Sequence, residues 1–299
     1  MSRQYKTEKR ITPYRVFSVF NIIIMLFVIL VTAYPIYYIV VASFSDPGAL
    51  SRHTGLLWAP LKPYSTSAYQ AVFENRQVLT GLLNTLWVLV VGLLVNLILT
   101  MLGAFFLAIE GPMLKNAITF MIIFTMYFSG GLVPSYLNIR DLGLLDNLWS
   151  LVLPGAINTT NLIIMKSAFQ SIPGSLIESA RLDGARYVQI LWKVMIPLSK
   201  ATMAVMVLYY GVGHWNAWFN ASIYIRDSGK FPLQLVMRNI LNMTATAAMT
   251  SGGGMDEMAQ IAELIKYALI VVSTTPILAL YPFLQKYFVK GVMVGAIKG

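Results

Sequence analysis

Few side chains in this sequence could carry a reaction, and none stands beside the partners a reaction needs. There is no cysteine, which excludes disulfides, thiol nucleophiles and thiolate metal sites. The two histidines, His53 and His214, lie far apart and near no carboxylate cluster, so no metal site is expected. No nucleophile–base set is evident and no GxxxxGK[ST] phosphate loop is present, so no catalytic residues are expected and no ATP site of the usual kind. What remains are polar groups inside long apolar runs. One run carries Asn158, Thr159, Thr160 and Asn161; another carries His214, Trp215, Asn216, Trp218 and Asn220. Such groups are costly in lipid and usually face a bundle interior. The plainer alternatives are interhelical hydrogen bonds for Asn and Thr, and an interfacial belt for Trp.

The apolar runs that must position these groups dominate the chain. Of its 299 residues 57% are hydrophobic and 11% charged, with mean hydropathy +0.68. A soluble fold could not cover so much apolar surface with so few charges. Helices of about 20 apolar residues cross a bilayer, and six charge-poor stretches fit. These predict an all-α membrane protein with six transmembrane helices, spans at about 16–43, 79–108, 116–138, 147–168, 200–224 and 265–287. The first run is too long for a cleaved signal, so the first helix is expected to stay. Residues Asn239 to Met255, rich in Thr, Ala and Gly and ending SGGGM, read as a loop.

The net charge of +10 does not point to nucleic acid, because the basic residues sit between apolar runs rather than along one stripe. Assigning the segment 1–15 to the cytoplasm puts 14 of the 22 basic residues inside and 8 outside. The positive-inside rule therefore favours both termini in the cytoplasm. Within that arrangement the 172–198 segment is the long cytoplasmic loop, IPGSLIESARLDGARYVQILWKVMIPL. Pro173 and Gly174 should stop one helix, and Ser175 with Glu178 has the capping-box spacing to start another. Gly184 should break that helix. A second piece from Ala185 to Ile196 should end at Pro197.

The stretch ESARLDGARYVQILWKVMIP resembles the EAA loop of membrane subunits of bacterial binding-protein-dependent ABC importers. The family pattern runs Glu-Ala-Ala, three residues, Gly, nine residues, Ile-x-Leu-Pro. Glu178, Ala180, Gly184 and Pro197 fall on it at the right spacing, while Ser179, Val194 and Ile196 are conservative departures. Asp183, Gly184 and Ala185 form the DGA triplet typical of the sugar-transporting branch. The carboxyl end QKYFVKGVMVGAIKG resembles that of maltose-type subunits. The stretch from Phe128 to Ala156, the Asn84-Thr85-Leu86 element and the Trp215-Asn216 pair also match that branch, in order and over nearly the whole chain. Within it, the nearest likeness is to permeases of complex-saccharide importers in Gram-positive bacteria.

The resemblance implies a type I ABC importer permease fold in the cytoplasmic membrane. It implies a second homologous permease subunit, two ATP-binding subunits using ATP and Mg, an extracellular solute-binding protein, and an oligosaccharide as cargo. No cofactor is expected on this chain. Glu178, Ala180, Asp183, Gly184, Ala185 and Pro197 would couple to the ATPase, as would the 291–299 tail with Lys290, Gly291, Gly295 and Lys298. A sugar path needs hydroxyl-matching groups and aromatic faces. Asn158, Asn161, Trp215, Asn216 and Trp218 are the candidates, and Pro232, Leu233 and Gln234 would face the binding protein. The rival from another class is an ion-coupled secondary transporter, which expects ionisable groups deep in the spans. Apart from His214, the six runs lack them.

Overall fold

A computed structural model describes residues 13–111, 113–250 and 264–279 together with Pro282, and among these it is helical with no strand. The described residues fall into two units, 13–71 with 264–271 and 72–250 with 272–279.

The first unit is built on α1 (Pro13–Ser43). Within its apolar stretch Phe17–Ser43 an 18-residue window has mean hydropathy 2.5, and side chains such as Phe17, Phe27 and Leu30 are exposed, a surface that a bilayer would cover. Asp46 caps the short α2 (Pro47–Arg52) by accepting from the Ala49 N–H at 2.9 Å. The segment after it is strapped over the end of α1. Tyr37 donates to the Trp58 carbonyl, Leu57 N–H donates to Tyr34 Oη at 2.8 Å, and Ser43 meets Tyr69 at 2.7 Å. The helix α3 (Ser67–Glu74) then leads to the second unit.

The second unit is organised around α4 (Arg76–Ala108), capped by Asn75. Its buried positions Gly81, Thr85, Val88, Gly92, Asn96, Thr100 and Ala104 recur every three or four residues. They form one small or polar stripe on an otherwise apolar helix, the pattern that lets helices approach closely in lipid. Around it stand α5 (Lys115–Tyr127), α6 (Leu132–Asp141), two 3₁₀ turns at Leu148–Leu151 and Leu153–Gly155, and α7 (Thr159–Gln170). Next come α8 (Gly174–Leu182), α9 (Tyr187–Ile190), a π turn at Leu191–Met195, α10 (Ile196–Leu198) and α11 (Lys200–Trp215). Finally there are α12 (Phe219–Tyr224) and α13 (Leu233–Thr250). The helix α14 (Leu264–Ala279) is divided between the two units after residue 271.

Several expected spans are interrupted. The 116–138 stretch is α5 and α6, bent by 116° at Ser129-Gly130-Gly131, where Gly131 takes φ +85°, a conformation open to glycine and strained for other residues. The 147–168 stretch is two 3₁₀ turns and α7, bent by 49°. The 200–224 stretch is α11 and α12, separated at Asn216. Among the described residues two helices, α1 and α4, are long and apolar enough to cross a membrane alone, and three bent pairs pass the same test. The shorter apolar α14 covers the described part of the expected sixth span.

The stretch read as a loop from Asn239 is helical to Thr250. Its Thr and Ala residues include the strongest helix former, and Leu233, Leu235 and Val236 at the start of the same helix are buried. Tertiary packing overrides the loop-like composition. Residues 1–12, 251–263 and 283–299 lie outside the described residues, and with them the tail positions Lys290, Gly291, Gly295 and Lys298.

Candidate coupling surface and intramembrane polar network

The EAA-like stretch folds as a helix, a glycine turn and a helix. The expected capping box does not form. α8 starts one residue before Ser175, with Pro173 at the cap and no side-chain hydrogen bond there, so Ser175 and Glu178 lie within the helix. Pro173 sets that start, since its ring fixes φ near the helical value and it has no N–H to satisfy. At the other end, Gly184 N–H donates to the Arg181 carbonyl at 3.0 Å and Ala185 N–H to the Ala180 carbonyl at 2.9 Å. This is a Schellman closure with Gly184 in the left-handed position, φ +77°. The spacing of Ala180, Gly184 and Ala185 thus has a direct cause. The closure needs glycine at one position, and Ala180 and Ala185 both pack against the apolar core.

The second piece begins where Arg186 N–H donates to Gln189 Oε1 at 2.8 Å. It does not end at Ile196. The chain widens into the π turn Leu191–Met195 and passes Pro197 to Leu198. A proline cannot donate the usual helical bond, and the widened turn just before it is where such a defect is absorbed. The bend of 86° into α11 follows.

One face of this loop is fixed. Ile177, Ala180 and Ala185 pack on a core of Leu107, Met165, Phe169, Ile190, Met195 and Met206, from α4, α7, the loop and α11. The other face is open. Leu182 is 89% exposed, and Tyr187, Val188 and Leu176 are exposed beside it, with Arg181 lying over the Tyr187 ring. Glu178, Asp183 and Pro197 are exposed. Glu178 also lines a cleft of about 330 Å³ with Glu110, Lys115 and Arg181. This cleft brings the short 109–115 connection to the same surface.

Above that platform, the bundle holds a polar network that sequence reading found only in part. Asn96 donates through Nδ2 to the carbonyls of Gly155 and Ala156 at 2.7 and 3.0 Å, the groups left free where the 3₁₀ turn ends. Its Oδ1 therefore faces His214 Nε2, 2.6 Å away. Thr100 meets Tyr210 Oη at 2.7 Å, and that oxygen accepts from Asn158 N–H at 3.0 Å. Asn96 and Thr100 are fully buried. The signal was present in the sequence, since a lone Asn in the run LLVNLILT needs a partner.

The candidate path residues divide on this structure. Asn158 caps α7 through its side chain, which accepts from Asn161 N–H at 3.0 Å, and Asn161 is buried. Trp215 is buried and donates from Nε1 to the Ser273 carbonyl at 3.1 Å. Asn216 is exposed and donates to the Val212 carbonyl. Trp218 is half-buried, with the Arg238 guanidinium 3.5 Å from its ring centre.

The far end of the bundle is held by a charged clamp. Asp146, at φ +55°, accepts from Arg226 N–H and Asp227 N–H at 3.1 and 3.0 Å and from Lys230 Nζ at 3.0 Å. The Asp227 backbone donor, then Lys230, then the Arg226 donor hold its carboxyl down at about 2; the same pairing raises Lys230. Asn84 donates to the carbonyls of Gly229 and Phe231, and Thr85 Oγ1 accepts from Leu233 N–H at 2.8 Å. The Asn84-Thr85-Leu86 element thus seats the start of α13 on α4. A Cβ at Gly81 would meet Leu233 Cα at 3.2 Å. Pro232 and Leu233 are buried and only Gln234 of the expected binding-protein contacts keeps surface.

No family model matches the chain. It is 41% identical over 285 residues to Protein LplC of Bacillus subtilis (strain 168), covering 95% of this chain and 96% of that protein. It is 40% identical over 241 residues to the polygalacturonan/rhamnogalacturonan transport system permease protein YtcP of the same organism, covering 79% and 82%. Among solved structures, it matches a chain of a bacterial ABC transporter involved in the import of the acidic polysaccharide alginate. The TM-score is 0.83 at 34% identity, over 94% of this chain and 100% of that one.

Proposed function

The chain belongs to the permease subunits of ABC sugar importers, and from that premise we propose that it carries an oligosaccharide of a complex polysaccharide across the cytoplasmic membrane. It is a multi-pass membrane subunit without catalysis of its own, and ATP is hydrolysed by separate subunits. The observation that carries the coupling role is the open apolar face of the 172–198 loop. Leu182, Tyr187 and Val188 are exposed while the opposite face of the same loop is locked to three helices of the bundle. A surface of that kind transmits force only if something docks on it.

In this reading the bundle has six spans with both termini cytoplasmic: α1, α4, α5–α6, the 3₁₀ turns with α7, α11–α12, and the span that includes α14. Two ATPases using ATP and Mg, a second permease subunit and an extracellular binding protein complete the complex. Glu178, Ala180, Asp183, Gly184, Ala185 and Pro197 shape the docking element, and Lys290, Gly291, Gly295 and Lys298 extend the contact to the ATPases. Asn158, Asn161 and Trp215 serve as framework for the path, whereas Asn216 and Trp218 keep surface for a sugar. Gln234 is the binding-protein contact among 232–234. Stimulation of the co-purified ATPase by a saccharide-loaded binding protein tests this reading, and a rate indifferent to the loaded protein contradicts it.

A further inference from the structure

At the end of α11 opposite the coupling loop, about 24 Å along the helix, the charges of the described residues do not balance. Among the described residues there, Asp141 pairs with Arg140, and Asp146 and Asp227 pair with Lys230. Among those same residues, Arg226 and Arg238 are left with no carboxylate partner. Arg238 is the sole charged residue on α13 and is exposed. Its guanidinium lies 3.5 Å from the centre of the Trp218 ring. Stacking fixes the plane of the guanidinium and leaves its in-plane N–H donors free, the geometry that takes a carboxylate in two parallel hydrogen bonds. Among the described residues no acceptor takes the Trp218 indole N–H, and no buried polar side-chain atom lacks a partner, so that N–H also opens to solvent. Arg226 sits past the other end of α12, which is about 9 Å long. Its side chain reaches Tyr136 Oη at 3.4 Å, beside the Tyr136–Tyr224 stack.

We propose that Arg238 on Trp218, with Arg226 and Tyr136 across α12, forms a strip that recognises the carboxylates of an acidic, uronate-containing oligosaccharide. The strip rests on the saccharide-permease reading and adds the class of sugar. A neutral oligosaccharide offers hydroxyl acceptors and apolar faces but no charge to match two guanidinium groups that have no carboxylate partner among the described residues, whereas a chain of uronates carries a carboxylate on successive residues. The same guanidinium chemistry would suit a lipid phosphate, which is the competing source of the anion.

The test uses the assembled complex with its binding protein in proteoliposomes. Uptake of a uronate oligosaccharide is compared with that of its carboxyl-reduced, length-matched counterpart. For the parent the acidic sugar is favoured. In Arg238→Gln the ratio of acidic to neutral uptake falls about tenfold, the loss of one charge-assisted pair, and Arg238→Lys recovers part of it. Neutral uptake in the same vesicles reports folding and assembly. A parent that carries only the neutral sugar overturns the strip but leaves the permease reading standing; a parent that carries neither overturns both. An Arg238→Gln defect that is equal for the two sugars, or that appears in anionic-lipid vesicles and vanishes in phosphatidylcholine, makes the residue an anchor and overturns the proposal.

Discussion

His214 Nε2 lies 2.6 Å from Asn96 Oδ1, in space that exists because residue 92 is glycine. A Cβ there would come within 2.5 Å of the same nitrogen. The two Nδ2 bonds of Asn96 to backbone carbonyls fix which way its amide points, so His214 donates from Nε2. Three elements are thereby tied at one level of the bundle: α4, the turn before α7, and α11.

Gly92→Ala should accordingly destabilise the subunit by about 1–3 kcal/mol, the usual cost of overpacking, with His214 as the residue displaced. Combining it with His214→Ala should give less than the sum of the two losses. Thermal unfolding of the purified complex in detergent measures both. Strict additivity of the two substitutions would show that Gly92 and His214 do not share that space.

Asn96→Ala removes the partner of two backbone carbonyls and of His214. Leaving buried polar groups unpaired costs about 1–3 kcal/mol each, so this change should exceed Thr100→Ala, which leaves Tyr210 its bond from Asn158. The same unfolding assay checks the order, and an Asn96 variant as stable as the parent contradicts the role given to it.

Gly184→Ala places a Cβ at φ +77° and should cost ~1–2 kcal/mol at the turn. Gly184→Asn, which tolerates that conformation, should cost less. A Cβ at Gly184 would meet no atom within 4 Å, so the effect is one of backbone shape alone. Co-purification of the ATPase should therefore rank Gly, then Asn, then Ala. Equal recovery across the three would separate the turn from docking.

The Asp146 clamp carries a pH signature. A carboxyl held below its ordinary value stabilises the fold above that ordinary value, 3.8, and the contribution is lost as pH falls through about 2. Lys230 is raised by the same contact, so its share is complete below 10.5 and is lost only at higher pH. Between these limits the segment 224–231 should stay protected. Acidification from pH 4 to 2 should release it to proteolysis in the parent, while Asp146→Asn should be releasable already at neutral pH. A parent and variant equally resistant at pH 7 would rule out the clamp.

Much of this was legible in the residues. Charge-poor runs located the helices, and the spacing of Glu178, Ala180, Gly184 and Pro197 located the loop, because a glycine in a left-handed turn and a proline after a widened one leave marks in sequence. The bends were less legible. Ser129-Gly130-Gly131 reads as tolerable inside an apolar run, and only the packing of α6 near Tyr224 makes it a corner. The capping box at Ser175 failed because Pro173 had already set the helix start. The buried Asn96, Thr100 and Tyr210 contacts join residues more than fifty positions apart, beyond the reach of local pattern.

The central proposal is that this permease moves a saccharide with force received through the 172–198 loop. The most direct measurement is ATP-driven saccharide uptake by the reconstituted complex with and without residues 176–186. Removal of these residues should leave membrane insertion and pairing with the second permease intact, abolish co-purification of the ATPase, and reduce uptake to background. Uptake equal to the parent's in the deleted complex would contradict the claim.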